Sequence, residues 1–510
     1  MLNSFGVTKI EGVQNGYQAM EACKAHHYDV VLCDYDLGKG KTGQQLLEAL
    51  RHTAIIDRTT LFIMVTGDTS RQAVLASSEC CADDYLTKPI NATLLQRRVS
   101  RLLALNKQFA KVFKALDKQD YSQAIHYLEL LAEPTLRNAN YAAKILGEVL
   151  LQTNQLDKAQ ALYQKVLDQK PLEWARLGLA FVAQTKGDIE IANAAFDEII
   201  RDNPFCLAAY DGLAKNYHAQ EDFESLQKAI AAAVKASPAS ILRQKNLANI
   251  AEQNGDIATA LNALRECVRL GMNSCYGDWQ DAYRFGMNAA DAPNALIDEQ
   301  GQLPHEALKL LKDATNFFQV SDDDLLRMQF LQGRLQFLSR QNMLAKDSIY
   351  KAESLYSERQ QKDVITDVAR IKAIRTLKEN ARADSLAQEL KVHYAKDQQA
   401  LQKLDEVLDE PASQENCRVL AETNKKGIQL YNEQRFDEAI QCFQRAQVLF
   451  PRHLGIQLNI CQAFIGKHKR GDSGEIDLVV KEMLEKLRRQ IAPTDAKYQR
   501  LRKLQEMARI

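Results

Sequence analysis

Asp29–Gly38 reads DVVLCDYDLG, an apolar run that stops at Asp34. Two later stretches have the same form: Ile63–Asp68 (IMVTGD), with Thr66 after its apolar part, and Tyr85–Pro89 (YLTKP), which reaches Lys88. Short continuous apolar runs separated by helical periodicity predict parallel strands covered on both faces. Parallel strands end at one edge of a sheet, so a carboxylate, a hydroxyl and an ammonium are expected together there. That trio suits a phosphoryl group. A carboxylate oxygen can attack phosphorus, and the other two groups position the transferred oxygens and balance their charge.

Around these stretches, residues 1–105 alternate strand and helix signals. Strands are expected at Ile10–Val13, Val30–Cys33, Leu61–Val65 and Asp84–Thr87, the second buried on both faces. Helices are expected at Tyr17–Lys24, Gln44–Arg51, Ser70–Ser78 and Ala92–Leu105, the last leading out of the domain. The expected fold class is α/β, a flavodoxin-like doubly wound sheet.

Beyond residue 106 the strand signals stop and a repeat begins. Ala180, Ala214 and Ala248 recur in step, as do Ala192, Leu226 and Ala260, and Pro204 with Pro238. The period is about 34 residues, with small residues at two fixed places, which predicts paired antiparallel helices stacked as a solenoid. Gly147, Ala159, Tyr163 and Pro171 fill the same slots one unit earlier. Tyr163, Phe196, Ile230 and Leu264 are expected to fill the space between helix pairs, and the prolines to end each second helix.

Units are expected near 106–138, 140–171, 173–205, 207–238 and 241–272. The domain plan is therefore 1–105 α/β, 106–272 repeats and 273–325 an irregular insertion with helices. Then come 326–410 divergent helical repeats, 416–465 a further repeat and 466–510 capping helices. Gly333, Ala345 and Ala352 carry the weak return of the pattern. Gly427, Leu430, Tyr431, Ala439, Phe443, Ala446 and Pro451 form its cleanest copy. The repeat resembles the tetratricopeptide repeat.

Composition excludes several classes. Lys+Arg and Asp+Glu both number 66, so no global charge draws the chain to nucleic acid or a membrane. No apolar run reaches the roughly 18–20 residues of a membrane span. The ten cysteines lack metal-ligand spacing, and the adjacent Cys80 and Cys81 suit neither a usual disulfide nor zinc. A reduced, cytoplasmic setting is expected. Glu-Ala-Leu at 48–50 and 306–308, His26-His27, Trp174 and Trp279 read as helix, loop and repeat core. The segment 466–510 has more basic than acidic residues and reads as a solvated helix face. No phosphate-binding glycine loop or helix-turn-helix signature is present.

The strand-end residues of 1–105 resemble the receiver domain of bacterial two-component response regulators. That resemblance implies Asp34 as phosphoacceptor, with Thr66 and Lys88 as its hydroxyl and ammonium partners. It implies Tyr85 as the aromatic switch moving with Thr66, and the main-chain carbonyl of Asp36 as an Mg²⁺ ligand beside Asp34. Pro89 follows Lys88 where the family's bond is usually cis, and Gly43 opens the next helix one residue later than usual. A sensor histidine kinase is the implied phosphoryl donor.

The family also has an earlier strand ending in paired acids that hold Mg²⁺. Met1–Gly6 matches only the end of the helix that follows it. Two explanations are open: the true start lies upstream of Met1, or the receiver is degenerate. With that strand absent, Ile10–Val13 and Val30–Cys33 must close up or leave backbone groups unpaired. Mg²⁺ binding is then weak or absent, and phosphorylation poor.

The expected function is a response regulator of a phosphorelay that signals by protein binding through its solenoid. Its enzymatic activity would be at most self-dephosphorylation. Two alternatives are a phosphate sink for a histidine kinase and a phosphorylation-independent scaffold whose receiver makes a homodimer.

Overall fold

The computed structural model describes residues 2–7, 9–38, 40–67, 82–292, 302–359, 362–469, 478–491, 493 and 495–508. The chain divides into two compact units, Met1–Leu247 with Arg269–Gly277, and Ala248–Val268 with Asp278–Ile510.

The first unit opens with a three-stranded parallel sheet. Its elements are α1 (Gly16–Ala25), β1 (Val30–Asp34), α2 (Gly43–His52), β2 (Leu61–Thr66), β3 (Asp84–Thr87) and α3 (Ala92–Asp117). The strands lie in sequence order, with Asp34 opposite Val65 and Thr66 opposite Thr87. Side chains alternate across β2. Phe62 and Met64 join Leu46, Leu47 and Leu50 of α2 and Cys23 of α1 in one core. Leu61, Ile63 and Val65 join Leu95 and Leu102 of α3 in the other. This two-sided burial explains why β2 reads as an unbroken apolar run.

The expected strand at Ile10–Val13 does not form. Ile10 and Val13 are exposed. Among the described residues no strand pairs with this segment or with the free side of β1. β1 is therefore an edge strand. Of its residues only Cys33 is fully buried, so the expectation of complete burial on both faces fails there. Ser70–Ser78, Asp68 and the Cys80–Cys81 pair lie outside the described residues.

α3 runs unbroken through residue 105 to Asp117 and packs its Phe109 and Val112 into the first helical core. From there the first unit is all helical, in antiparallel pairs such as Ala139–Gln152 with Leu156–Leu167 and Glu173–Lys186 with Ile189–Asp202. Glycine has a steric cause here, both at Gly147, which holds one of the fixed small places, and at Gly178 and Gly212, which fall two residues before Ala180 and Ala214. A Cβ on Gly147 would lie 2.5 Å from the Tyr163 ring, one on Gly178 would lie 2.3 Å from it, and one on Gly212 would lie 2.4 Å from Phe196. The tip of each aromatic ring thus occupies the space a Cβ would take, which gives close-packed contacts no larger residue permits. Ile230 is only half-buried. On its helix the inward stripe is Leu226, Ala229, Ala233 and Ala236, which leaves Ile230 at the flank.

The helix pairs turn on residues with positive φ: Gln119, Asn154, Gly187 and Glu221 in the first unit. The left-handed backbone reverses the chain within one residue, and glycine meets that demand at only one of these four.

The second unit is also helical. Asp322–Leu338 packs on Asn342–Ser357, with a Cβ on Gly333 placed 2.4 Å from Ile349. Gln414–Asn432 packs on Phe436–Leu449, with one on Gly427 placed 2.5 Å from Phe443. Leu454–Lys469, Leu478–Gln490 and Ala496–Ala508 close the array around Leu458, Leu484 and Leu501. Among the described residues, no helix is long and apolar enough to cross a membrane.

Candidate functional site

β1, β2 and β3 place Asp34, Thr66 and Lys88 at one edge of the sheet. Asp34 ends β1 and Thr66 ends β2. Lys88 immediately follows β3 and is held by its own N–H, which donates to the Thr66 carbonyl at 2.7 Å. The Lys88 ammonium forms an ion pair with Asp34 Oδ2. Both side chains keep contact with solvent, at 48% and 35% exposure. A reactant arriving from solvent can therefore reach the carboxylate. Thr66 is buried and stands on the strand between them. The Lys88–Pro89 bond is cis.

The neighbouring thiol does not compete as a nucleophile. Burial, and after it the charge of Asp34, pushes the Cys33 thiol up to about 12, so it stays neutral. Tyr85 is half-buried and packs against the core shared by β2 and α2, on the strand next to Thr66. Arg98 of α3 pairs with Asp84 at 2.6 Å, which ties that helix to β3.

The loop after β1 hangs from the same carboxylate. Asp36 N–H donates to Asp34 Oδ1 at 3.2 Å, and Gly38 N–H donates to Asp36 Oδ1 at 2.9 Å. Thr42 then caps α2 in a reciprocal box with Gln45. Gly43 fits α2 against the strand end. A Cβ there would lie 2.3 Å from the Asp34 carbonyl oxygen and 2.9 Å from Met64 Sδ.

The end of this loop and α2 touch the segment Arg269–Gly277, within the same unit. Lys41 Nζ donates to the Asn273 carbonyl at 2.6 Å and Gln45 Nε2 to the Leu270 carbonyl at 3.1 Å. His52 meets Tyr276 edge to face, with ring centroids 5.2 Å apart. Sequence reasoning missed Lys41 and Gln45. Their acceptors are main-chain carbonyls more than 200 residues away, which no side-chain pattern announces.

The donors at the strand end do not make a full Mg²⁺ site. Asp34 already engages Lys88 and the Asp36 amide, and the Asp36 carboxylate accepts from Gly38. Among the described residues, no three His, Cys, Asp or Glu side chains converge. Mg²⁺ demands a near-ideal octahedron, and these residues fall short of one.

Residues 1–100 match the family model of the response regulator receiver domain, and residues 114–173 that of the tetratricopeptide repeat. The chain thus carries a receiver domain followed by tetratricopeptide repeats: a response-regulator-like protein with a protein-interaction region. Among solved structures it is similar to a tetratricopeptide repeat protein from Parabacteroides merdae ATCC 43184. Identity is 13% and the TM-score 0.27, over 53% of this chain and 98% of that one. It is also similar to a chain of Naa15/Naa10 bound to HypK-THB (13%, TM-score 0.31, 78% of this chain and 65% of that one). The P58(IPK) TPR domain matches at 12% identity and a TM-score of 0.20, over 72% of this chain and all of that one.

Proposed function

We propose that this chain is a response regulator of a two-component phosphorelay, with Asp34 as phosphoacceptor and protein binding by the solenoid as output. The observation that carries the proposal is the meeting of the Lys88 ammonium and the Asp34 carboxylate at the end of β1, with Thr66 ending the strand between them. A carboxylate oxygen of Asp34 attacks phosphorus of a kinase phosphohistidine. The P–N bond breaks, the imidazole leaves, and an acyl phosphate forms. Lys88 then pairs with a phosphoryl oxygen instead of the carboxylate. Thr66 turns its hydroxyl toward the phosphoryl group, and Tyr85 follows into the space beside it.

The loop supplies the coupling. When Oδ1 of Asp34 is the attacking oxygen it becomes the bridging oxygen of the acyl phosphate, a poorer acceptor for Asp36 N–H, so Asp36 and the Gly38 amide that hangs from it resettle. Lys41 at the end of the loop and Gln45 in the first turn of α2 make the contacts with Asn273 and Leu270. The receiver's state is thereby passed to the segment Arg269–Gly277 as a shift between two arrangements.

Incubation with acetyl phosphate and Mg²⁺ tests the assignment by intact mass. The wild type is expected to gain a phosphoryl group slowly and in only part of the sample, as its incomplete Mg²⁺ ligand set dictates, and Asp34→Asn none. Equal gain in both proteins would move the acceptor elsewhere. No gain in either supports a second reading, a phosphorylation-independent scaffold. The donors at the strand end favour it, because they fall short of the octahedron that Mg²⁺ demands. In that case wild type and Asp34→Asn capture the same partners.

A further inference from the structure

α3 carries the basic residues Arg97, Arg98, Arg101, Lys107, Lys111 and Lys114 against a single acidic one, Asp117. Charge balances over the whole chain but not along this helix. Arg98 and Arg101 reach Asp84. The lysines form a set of their own. Lys107, Lys111, Lys114 and Lys118 follow one another at steps of four, three and four residues, which puts them on one face of the helix. Lys118 caps α3 with right-handed backbone and so keeps the register. Leu102, Phe109 and Val112 form the buried stripe on the other side. At 1.5 Å per residue, the lysine stripe runs for about 16 Å along the helix axis.

All four lysines are exposed, and among the described residues no carboxylate pairs with any of them. The nearby acids are engaged elsewhere. Asp117 pairs with Arg58 at 3.3 Å, and Asp120 caps the following helix, Tyr121–Leu131. Like charges at these spacings repel one another, and no ion pair among the described residues offsets that. The helix dipole favours cations in the last turn, which accounts for Lys114 and Lys118 but not for Lys107 and Lys111.

The surroundings of the stripe select its partner. Between Lys107 and Lys118 no large apolar side chain is exposed. Protein interfaces are depleted in lysine and held by apolar or aromatic anchors, and helices enter membranes by an apolar face. A phosphate backbone needs only cations. Single-stranded bases need free aromatic faces to stack on, and the face of Tyr127 is covered by the Lys111 ammonium, 5.8 Å from the ring centroid. We propose that this lysine stripe binds the phosphate backbone of double-stranded nucleic acid, without reading its sequence. Each ammonium offsets one phosphate and releases the counterion condensed there.

Fluorescence anisotropy on the full chain tests it with a labelled short DNA duplex. Four phosphate contacts give a slope of about −3.6 in log K against log salt, so affinity is expected to fall roughly a hundredfold between about 50 and 200 mM salt. A duplex of scrambled sequence is expected to bind equally. The variant combining Lys107→Gln, Lys111→Gln, Lys114→Gln and Lys118→Gln is expected to bind about tenfold more weakly or worse at the lower salt, with a flattened slope. Arginine at the same four positions is expected to retain binding. The control combines Lys158→Gln, Lys165→Gln, Lys170→Gln and Lys215→Gln, which removes the same charge from other exposed positions and is expected to leave affinity nearly unchanged. Unchanged helical circular dichroism in all variants separates lost binding from lost fold. No binding of the duplex by the wild type, equal affinity of the wild type and the stripe variant, or an equal loss in the control would overturn the proposal. Tighter binding to phosphatidylglycerol vesicles or to polyglutamate than to the duplex would also overturn it, by assigning the stripe to a membrane or an acidic protein.

Discussion

Gly43→Ala is expected to disrupt the receiver, although it adds one methyl group. The added carbon would lie 2.3 Å from the Asp34 carbonyl oxygen, 2.9 Å from Met64 Sδ and 3.0 Å from Cys33 Sγ. The first of these is backbone at the end of β1 and cannot rotate aside. Either α2 lifts from the sheet or the strand end moves. Overpacking of this kind costs about 1–3 kcal/mol, and the rigid backbone neighbour puts this case at or above the upper end. Function is expected to fall further than stability. Gly43 N–H donates to the Tyr35 carbonyl at 2.8 Å, and Thr42, Lys41 and Gln45 follow that anchor. Gly12→Ala is the control, because nothing lies within 4 Å of a Cβ there. Thermal unfolding and proteolysis of the first hundred residues should separate the two variants. Equal stability would mean that α2 does not depend on this close approach.

Tyr163→Ala is expected to cost the first helical core about 3–5 kcal/mol, the usual penalty for emptying a large buried aromatic site. Tyr163 is 2% exposed and fills the gap left by Gly147 and Gly178, with Trp174 edge-on at 6.1 Å. Neither glycine can close the cavity, since neither has a side chain to move. Stacked repeats behave as units coupled to their neighbours, so the loss should appear as early unfolding of the helices on either side of Tyr163. Hydrogen exchange across residues 139–186 is the readout. Gly178→Ala should destabilise the same helices less, by forcing rather than emptying the contact. Protection that survives Tyr163→Ala would show that the aromatic is not what joins these pairs.

Much of this was legible in the sequence because the physics is periodic. The apolar run of β2 is a strand because both its faces are buried, and a buried strand has mostly apolar residues to show. The recurring small residues are the imprint of Tyr163, Phe196 and Phe443 on their neighbours, one helix turn at a time. Asp34, Thr66 and Lys88 could be picked out because strand ends fall where apolar runs stop. Ile10–Val13 misled for the converse reason. Its composition suits a strand, but a strand needs a hydrogen-bonded neighbour, and composition does not report one.

What stayed hidden depends on distant chain segments. The acceptors of Lys41 and Gln45 are carbonyls of Asn273 and Leu270, where the repeat pattern fades. The left-handed turn residues Gln119 and Glu221 carry no glycine to mark them, so the turns were placed by period alone.

The central claim is that the state of Asp34 reaches the segment Arg269–Gly277 through the loop between β1 and α2. Hydrogen exchange of peptides spanning residues 269–277 tests it, in wild type and Asp34→Asn after the same acetyl phosphate treatment, with phosphoryl content fixed by intact mass. Faster exchange in the phosphorylated wild type alone is the predicted result, as the supports from Lys41 and Gln45 are withdrawn and the turn closed by Ser274 N–H on the Gly271 carbonyl loosens. Identical exchange in a wild-type sample that demonstrably carries the phosphoryl group would contradict it.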